Sequence, residues 1–265
     1  MQFAPLQPAV PANTTRSLCR AAGLLQLLCS YTRAGWRLSD LAQQSGLDPA
    51  TVHRLLAALR DEGLVTRVAG TPRYTLGPMA YELGIAAKPY FELDAASRQR
   101  LLALAEDLQG TLFVKIRSKI DSVCVARYDG AGAFSALMLD VGGRRPLCLT
   151  AGGVAILIRL PRAEQKHIQA NNLQAITLRD PTRCKGVRQM LDHSRQLGAG
   201  VNLGYTVAGI SAVSVAVLSA SQTPLASLSL ALPQPGVTAT ALDALVSHPN
   251  QEAAAIASAF ERLRF

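Results

Sequence analysis

Apolar residues recur at helical spacing in three short segments near the start of the chain. Leu18, Ala21, Leu25 and Leu28 mark one face of an amphipathic helix over about residues 15–31, with Ala34-Gly35 beyond its end. Leu41 and Ala42 point a second helix inward, with Gln43 and Gln44 outward and Ser39 placed to cap it. After a Gly46-Leu47-Asp48-Pro49 break, Val52, Leu55, Leu56 and Leu59 form the stripe of a third. Asp48 is its N-cap, Pro49 its first helical residue and Gly63 its stop. The period then changes to alternation. Residues 64–68 and 73–76 predict the arms of a hairpin around Ala69-Gly70-Thr71-Pro72, with Arg67 and Arg73 one on each arm. Gly77-Pro78 breaks the hairpin, and residues 79–87 predict a connecting helix ended by Pro89.

The pattern beyond residue 90 is different. A helix over about 95–109 precedes strand-like runs at 111–116, 123–127 and 134–139. Helical periodicity returns at 154–160, 162–169 and 185–196. Two strongly β-like runs, 210–218 and 225–232, follow, joined by a polar turn and Pro224, and a last helix covers 251–263. Strands grouped in sequence with helices around them predict an α+β domain on an antiparallel sheet. The organisation expected is a disordered tail over 1–13, a unit of three helices and a hairpin over 14–76, a linker helix over 77–91 and a second domain over 92–265. No internal repeat interrupts it.

Composition narrows the partners. A chain of 265 residues with 49% apolar residues can bury a substantial core, and its length suits two domains. Its net charge of +9 favours an anionic partner, with nucleic acid, a membrane surface and an acidic ligand all compatible. Nine basic residues against five acidic ones precede residue 91, and eighteen against thirteen follow, so charge alone does not locate the binding face. Five cysteines without a C-x-x-C pair, Cys19, Cys29, Cys124, Cys148 and Cys184, read as small buried hydrophobes in a reducing cytoplasm. No apolar run approaches the roughly 20 residues of a membrane span, and residues 1–13 lack a secretory pattern. The expectation is a cytoplasmic protein without a membrane partner.

Three helices followed by a basic hairpin make a winged helix-turn-helix, with the helix-turn-helix at about 38–57. In the segment LSDLAQQSGLDPATVHRLLAAL, burying Val52, Leu55, Leu56 and Leu59 leaves Thr51, Arg54 and Ala58 outward, with Ala50 and His53 beside them. Small residues let such a helix sit deep in a major groove, and Arg is the common bidentate partner of guanine. Ser39, Ala50, Thr51, His53, Arg54, Arg67 and Arg73 are therefore the candidate DNA contacts, the last two through phosphate or an adjacent minor groove.

The run LAQQSGLDPATVHRLLAALRDEGLV and the exit YTLGPMAYELG resemble the IclR family of bacterial transcriptional regulators. GRRPLCLTAGGVAILIRLP resembles the family's effector-domain signature, and GISAVSVAVLSASQTPLASLSLALP the two strands that close its ligand pocket. The resemblance covers about residues 15–262. It implies a GAF-like α/β effector domain with an antiparallel sheet, a homodimer or homotetramer joined partly through the linker helix, and binding to double-stranded promoter DNA. It also implies a small-molecule effector, an organic acid or aromatic metabolite, with Phe134, Ala151, Gly152, Asn202, Ala212, Ser229 and Ala231 as its neighbours. No cofactor is implied.

Gly152-Gly153 also has two physical readings: free helix-end amides that hold a carboxylate, or tight helix–sheet packing. Cys148 stands where the family signature has histidine, Val154 where it has lysine, and Gly204-Tyr205 where relatives often carry acidic residues. With Ala212 and Ala231, these changes predict a more apolar pocket, suited to an aromatic or branched effector.

Other chemistries fit poorly. GAGVNLG, residues 198–204, lacks dinucleotide-loop spacing and follows a helix. Asp192-His193-Ser194 are triad residue types, but neighbours on a helix point apart. His53, His167, His193 and His248 have no metal-ligand spacing. No catalytic or metal residue is assigned. Two alternatives remain at this point: an enzyme whose winged helix serves protein contacts, and a constitutive DNA-binding regulator with a non-functional pocket.

Overall fold

The computed structural model describes residues 13–30, 35–130, 141–233 and 239–263. The predicted tail, except Asn13, and the predicted strand at 134–139 lie outside them. Two units divide between Ala87 and Lys88.

The first unit holds α1 (Asn13–Leu28), β1 (Trp36–Arg37), α2 (Leu38–Ser45), α3 (Pro49–Asp61), β2 (Val65–Arg67) and β3 (Arg73–Leu76). Val52, Leu56 and Leu59 bury one face of α3 against Leu24 and Leu28 of α1 and Leu41 and Ala42 of α2. Leu55 is only half-buried, because the inward line follows positions 52, 56 and 59. Gly46 ends α2 at φ 66°, the left-handed conformation that lets α3 depart at once. The three-stranded antiparallel sheet has the order β1-β3-β2. Its first strand has two residues and was not predicted. It pairs Trp36 with Tyr74, and the Trp36 indole donates to the Ser30 carbonyl at 2.7 Å.

Three local expectations need correction. Ser39 does not cap α2: the cap position is Arg37, without a side-chain bond, because pairing of β1 with β3 delivers an extended residue directly into the helix. Pro89 does not end the connecting helix, which runs as α4 from Pro78 to Phe91 with Pro89 inside it. Proline here removes one amide donor without stopping the helix. Cys19 is exposed and Cys29 and Cys184 are half-buried; only Cys124 and Cys148 are buried.

The second unit continues with α5 (Ala95–Asp107), β4 (Thr111–Ser118), β5 (Asp121–Asp129), β6 (Arg144–Pro146), a 3-10 turn (Leu147–Leu149), α6 (Ala151–Leu157), α7 (Arg162–Arg179), α8 (Arg183–Leu197), β7 (Gly200–Leu203), β8 (Ile210–Leu218), β9 (Pro224–Pro233) and α9 (Ala239–Arg262). The strands form one six-stranded antiparallel sheet, β6-β5-β4-β9-β8-β7. Alternation sorts its faces. Leu112, Val114, Val215, Val217, Leu228 and Leu230 pack with α5 and α9. Arg100 of α5 pairs with Glu252 of α9 at 3.0 Å and Arg262 of α9 with Asp94, the α5 cap, at 2.7 Å. The opposite face carries α6, behind which α7, α8 and the 3-10 turn build a separate core around Leu147, Ile156, Ile168 and Met190.

The chain is thus a winged helix-turn-helix followed by a GAF-like α/β domain, an α+β architecture. Residues 200–203, read as part of a rejected glycine loop, are the edge strand β7. The last helix starts earlier than its periodicity suggested.

Candidate functional site

The head of α3 is built by its cap. The Asp48 carboxylate accepts the Thr51 amide at 2.8 Å. Hydrogen bonds from Thr51, with a smaller push from the Arg54 charge, hold its pKa below the usual carboxylate value. With the first turn fixed in this way, Ala50, His53, Arg54 and Ala58 are exposed and Thr51 is half-buried. The Arg54 guanidinium reaches Thr51 Oγ1 only at 3.5 Å, a loose contact that leaves its donors available. Ser39, in the first turn of α2, is exposed and donates to Asp40 at 3.2 Å.

The two wing arginines differ. Arg67 is exposed, lies over the buried Tyr74 ring at 5.3 Å from its centroid and donates to the Tyr74 hydroxyl at 3.0 Å. That stacking orients the guanidinium and uses one of its five N–H groups. Arg73 is half-buried and donates Nη1 to the Gly35 carbonyl at 3.0 Å, tying the wing to the entry of β1. The YTLG exit has a physical cause as well: a Cβ at Gly77 would collide with the Gly63 carbonyl, which accepts the Met79 amide at 3.0 Å.

On the α6 face of the second unit, cross-strand pairing places the candidate effector residues in rows. Asn202, Ala212 and Ala231 form one row across β7, β8 and β9. Ser214, Ser229 and Phe113 form the next, and Ala216, Ser227, Lys115 and Cys124 the third. Ala151 and Gly152, at the start of α6, cover these rows. A Cβ on Gly152 would lie 2.5 Å from Ser229 Oγ, 2.8 Å from Ser227 Oγ and 2.9 Å from Lys115 Cδ. A Cβ on Gly153 would strike the Leu147 carbonyl, and Thr150 Oγ1 already accepts the Gly153 amide at 3.1 Å. Close packing therefore accounts for both glycines. Phe134 lies outside the described residues.

The polar groups on this face are unevenly satisfied. Asn202 is buried and exchanges hydrogen bonds with Thr206, at 3.0 Å to its hydroxyl and 3.3 Å from its amide. Ser229 shares a 2.8 Å bond with Ser214, whose hydroxyl also lies 2.8 Å from the Leu228 carbonyl. Ser227, in contrast, is fully buried and its hydroxyl has no partner among the described residues. Lys115 is 4% exposed and has neither a hydrogen bond nor an ion pair among the described residues. Desolvation pushes its pKa down to about 8; Cys124 opposes the shift and Arg145 adds to it.

Sequence reasoning passed over Lys115, Ser227 and Phe113. The available signal was a lysine in the middle of the otherwise apolar strand segment Leu112-Phe113-Val114-Lys115-Ile116.

The departures from the family signature are packed. Burial raises the Cys148 thiol to about 12, and its amide donates to Asn172 Oδ1 at 3.0 Å. Val154 is fully buried. The Tyr205 hydroxyl meets His193 Nδ1 at 3.2 Å. The triad types at 192–194 diverge, for Asp192 pairs with Arg195 and Ser194 accepts the Val201 amide. Among the described residues no His, Cys, Asp and Glu cluster has metal-ligand geometry, and no helix is long and apolar enough to cross a membrane.

Comparison with known proteins agrees with this geometry. Residues 17–69 match the IclR helix-turn-helix domain and residues 90–258 the bacterial transcriptional regulator IclR C-terminal domain. The glycerol operon regulatory protein of Streptomyces coelicolor is 27% identical over 222 residues, 83% of this chain and 85% of that one. The crystal structure of an IclR family transcriptional regulator from Brucella abortus superposes with a TM-score of 0.72 at 20% identity, covering 98% of this chain and 99% of that one. An IclR homologue from Microbacterium hydrocarbonoxydans, solved in complex with 4-hydroxybenzoate, gives a TM-score of 0.58 at 18% identity over 92% and 99% of the two chains.

Proposed function

The chain belongs to the IclR family of DNA-binding transcriptional regulators, which are not enzymes, and from that premise we propose that it is a homo-oligomeric promoter-binding regulator controlled by an organic acid or aromatic metabolite. The family likeness removes the enzyme alternative. The observation that carries the DNA half is the exposed set Ala50, Thr51, His53 and Arg54 at the capped head of α3, with Arg67 on the wing. Arg54 and His53 supply donors to base edges, and Arg67 a phosphate or minor-groove contact. Ser39 and Arg73 are peripheral positions in this reading.

The effector half rests on the Phe113, Ala212 and Ala231 surface, which is apolar, beside the buried polar groups of the third row. The 4-hydroxybenzoate bound by the Microbacterium homologue is an aromatic acid of the proposed class. Oligomerisation is supported by α4: none of its residues is buried, and Met79, Tyr81, Leu83, Ile85, Tyr90 and Phe91 are exposed. Such a helix gains by covering those side chains with a second copy.

The test is fluorescence anisotropy on DNA from the gene's own upstream region. Arg54→Ala combined with Arg67→Ala is expected to weaken binding at least tenfold and to lower the salt slope by about 1–2. Unchanged binding and slope would overturn the assignment of the α3 head and wing.

A further inference from the structure

Among the described residues of the α6 face, Lys115 and Ser227 are the polar groups that packing does not explain. The Lys115 stem passes under the start of α6, where Gly152 leaves room for it. It stands beside Ser227 across β4 and β9 and beside Cys124 across β4 and β5. A buried ammonium without a counter-charge is costly, and an apolar side chain of similar length would pack there at lower free energy. The Ser227 hydroxyl in the same row is a second buried polar group without a partner among the described residues. Among the described residues, the charged or titratable groups that bear on Lys115 are Cys124 and Arg145, and neither is a carboxylate.

We propose that Lys115 and Ser227 form the anion-recognising end of the effector site, so that the effector is a monocarboxylate whose apolar body lies against Phe113, Ala212 and Ala231. This deepens the reading of the α6 face as an effector site and rests on it. One ammonium and one hydroxyl can neutralise and hydrogen-bond a single carboxylate. A phosphate monoester brings more charge than these two groups compensate. The neighbouring row offers Phe113, Ala212 and Ala231 with Cys124 and Ile210, a small apolar surface suited to an aryl or branched alkyl group. Ser229 and Asn202 already hold protein partners, so they shape the site while Lys115 and Ser227 take the charge.

The experiment uses the full chain, with thermal shift and calorimetric titration of benzoate, 4-hydroxybenzoate and isovalerate against their neutral primary amides. At least one carboxylate is expected to raise the melting temperature on the order of 5 °C at ~100-fold excess over Kd, with its amide inert. Lys115→Met is expected to weaken that binding ~10–100-fold and Ser227→Ala several-fold. The Lys115→Met protein should melt, ligand-free, at or above the wild-type temperature, which excludes misfolding as the cause. Equal binding of acid and amide, or full carboxylate binding by Lys115→Met, overturns the role of Lys115 and leaves the effector site standing. Stabilisation by neither acids nor amides overturns both, in favour of a constitutive regulator.

Discussion

Lys115 carries a charge that no described residue compensates, and that has a thermodynamic signature. Its pKa, near 8 in the native state against an ordinary 10.5, means the unfolded chain holds this proton more tightly. Below about pH 8 the buried ammonium costs roughly 3 kcal/mol, and the cost fades as pH rises toward the ordinary value. Lys115→Met is therefore expected to stabilise the ligand-free protein by roughly 1–3 kcal/mol near neutral pH, with a smaller gain near pH 10. Denaturant titrations of both proteins at the two pH values check this; a gain independent of pH would contradict it. Carboxylate affinity should fall above about pH 8, as the lysine loses the proton it needs, and calorimetry in that range should show proton uptake on binding. Little of this was legible in the sequence. A lone lysine in a strand usually faces solvent, and only the close approach of α6, which Gly152 permits, buries it. The glycines themselves were visible, but choosing between an anion site and packing needed the Leu147 carbonyl and the Ser229 and Ser227 hydroxyls in place. Gly77→Ala is expected to cost about 1–3 kcal/mol through its clash with the Gly63 carbonyl, measurable as a lower midpoint of the first unit's unfolding.

Elements with strong local signals were read well. Asp48, Pro49 and the inward positions of α3 specify where that helix starts and which way it faces, and β8 coincides with its apolar run. The failures have two causes: tertiary pairing that overrides a local rule, and a proline so near a helix end that it costs only one amide donor. β1 has two residues and exists because β3 offers it an edge. Pro89 reads as a stop, yet α4 continues past it to Phe91. The same helix exposes its apolar side chains without a polar opposite face to explain them. Tyr81→Glu with Ile85→Glu, one turn apart on α4, is expected to shift the protein to a smaller assembly by light scattering, without loss of helix content by circular dichroism. Retention of the wild-type mass would remove α4 from the assembly interface.

At the scale of the molecule, the positive charge is spread over both units, and each puts it to different use. In the proposed reading, the α3 head and wing of the first unit meet the phosphate backbone and base edges. In the second, one buried cation selects the charge type of a small ligand. The two are coupled only if the ligand binds one promoter-bound arrangement more tightly than another, and the coupling is reciprocal. The measurement that tests this most directly is promoter affinity with and without the carboxylate that binds best, in wild type and Lys115→Met. A change of at least ~5-fold is expected in wild type and none in Lys115→Met, whose ligand-free affinity is unaltered. An equal response in the two proteins would contradict this.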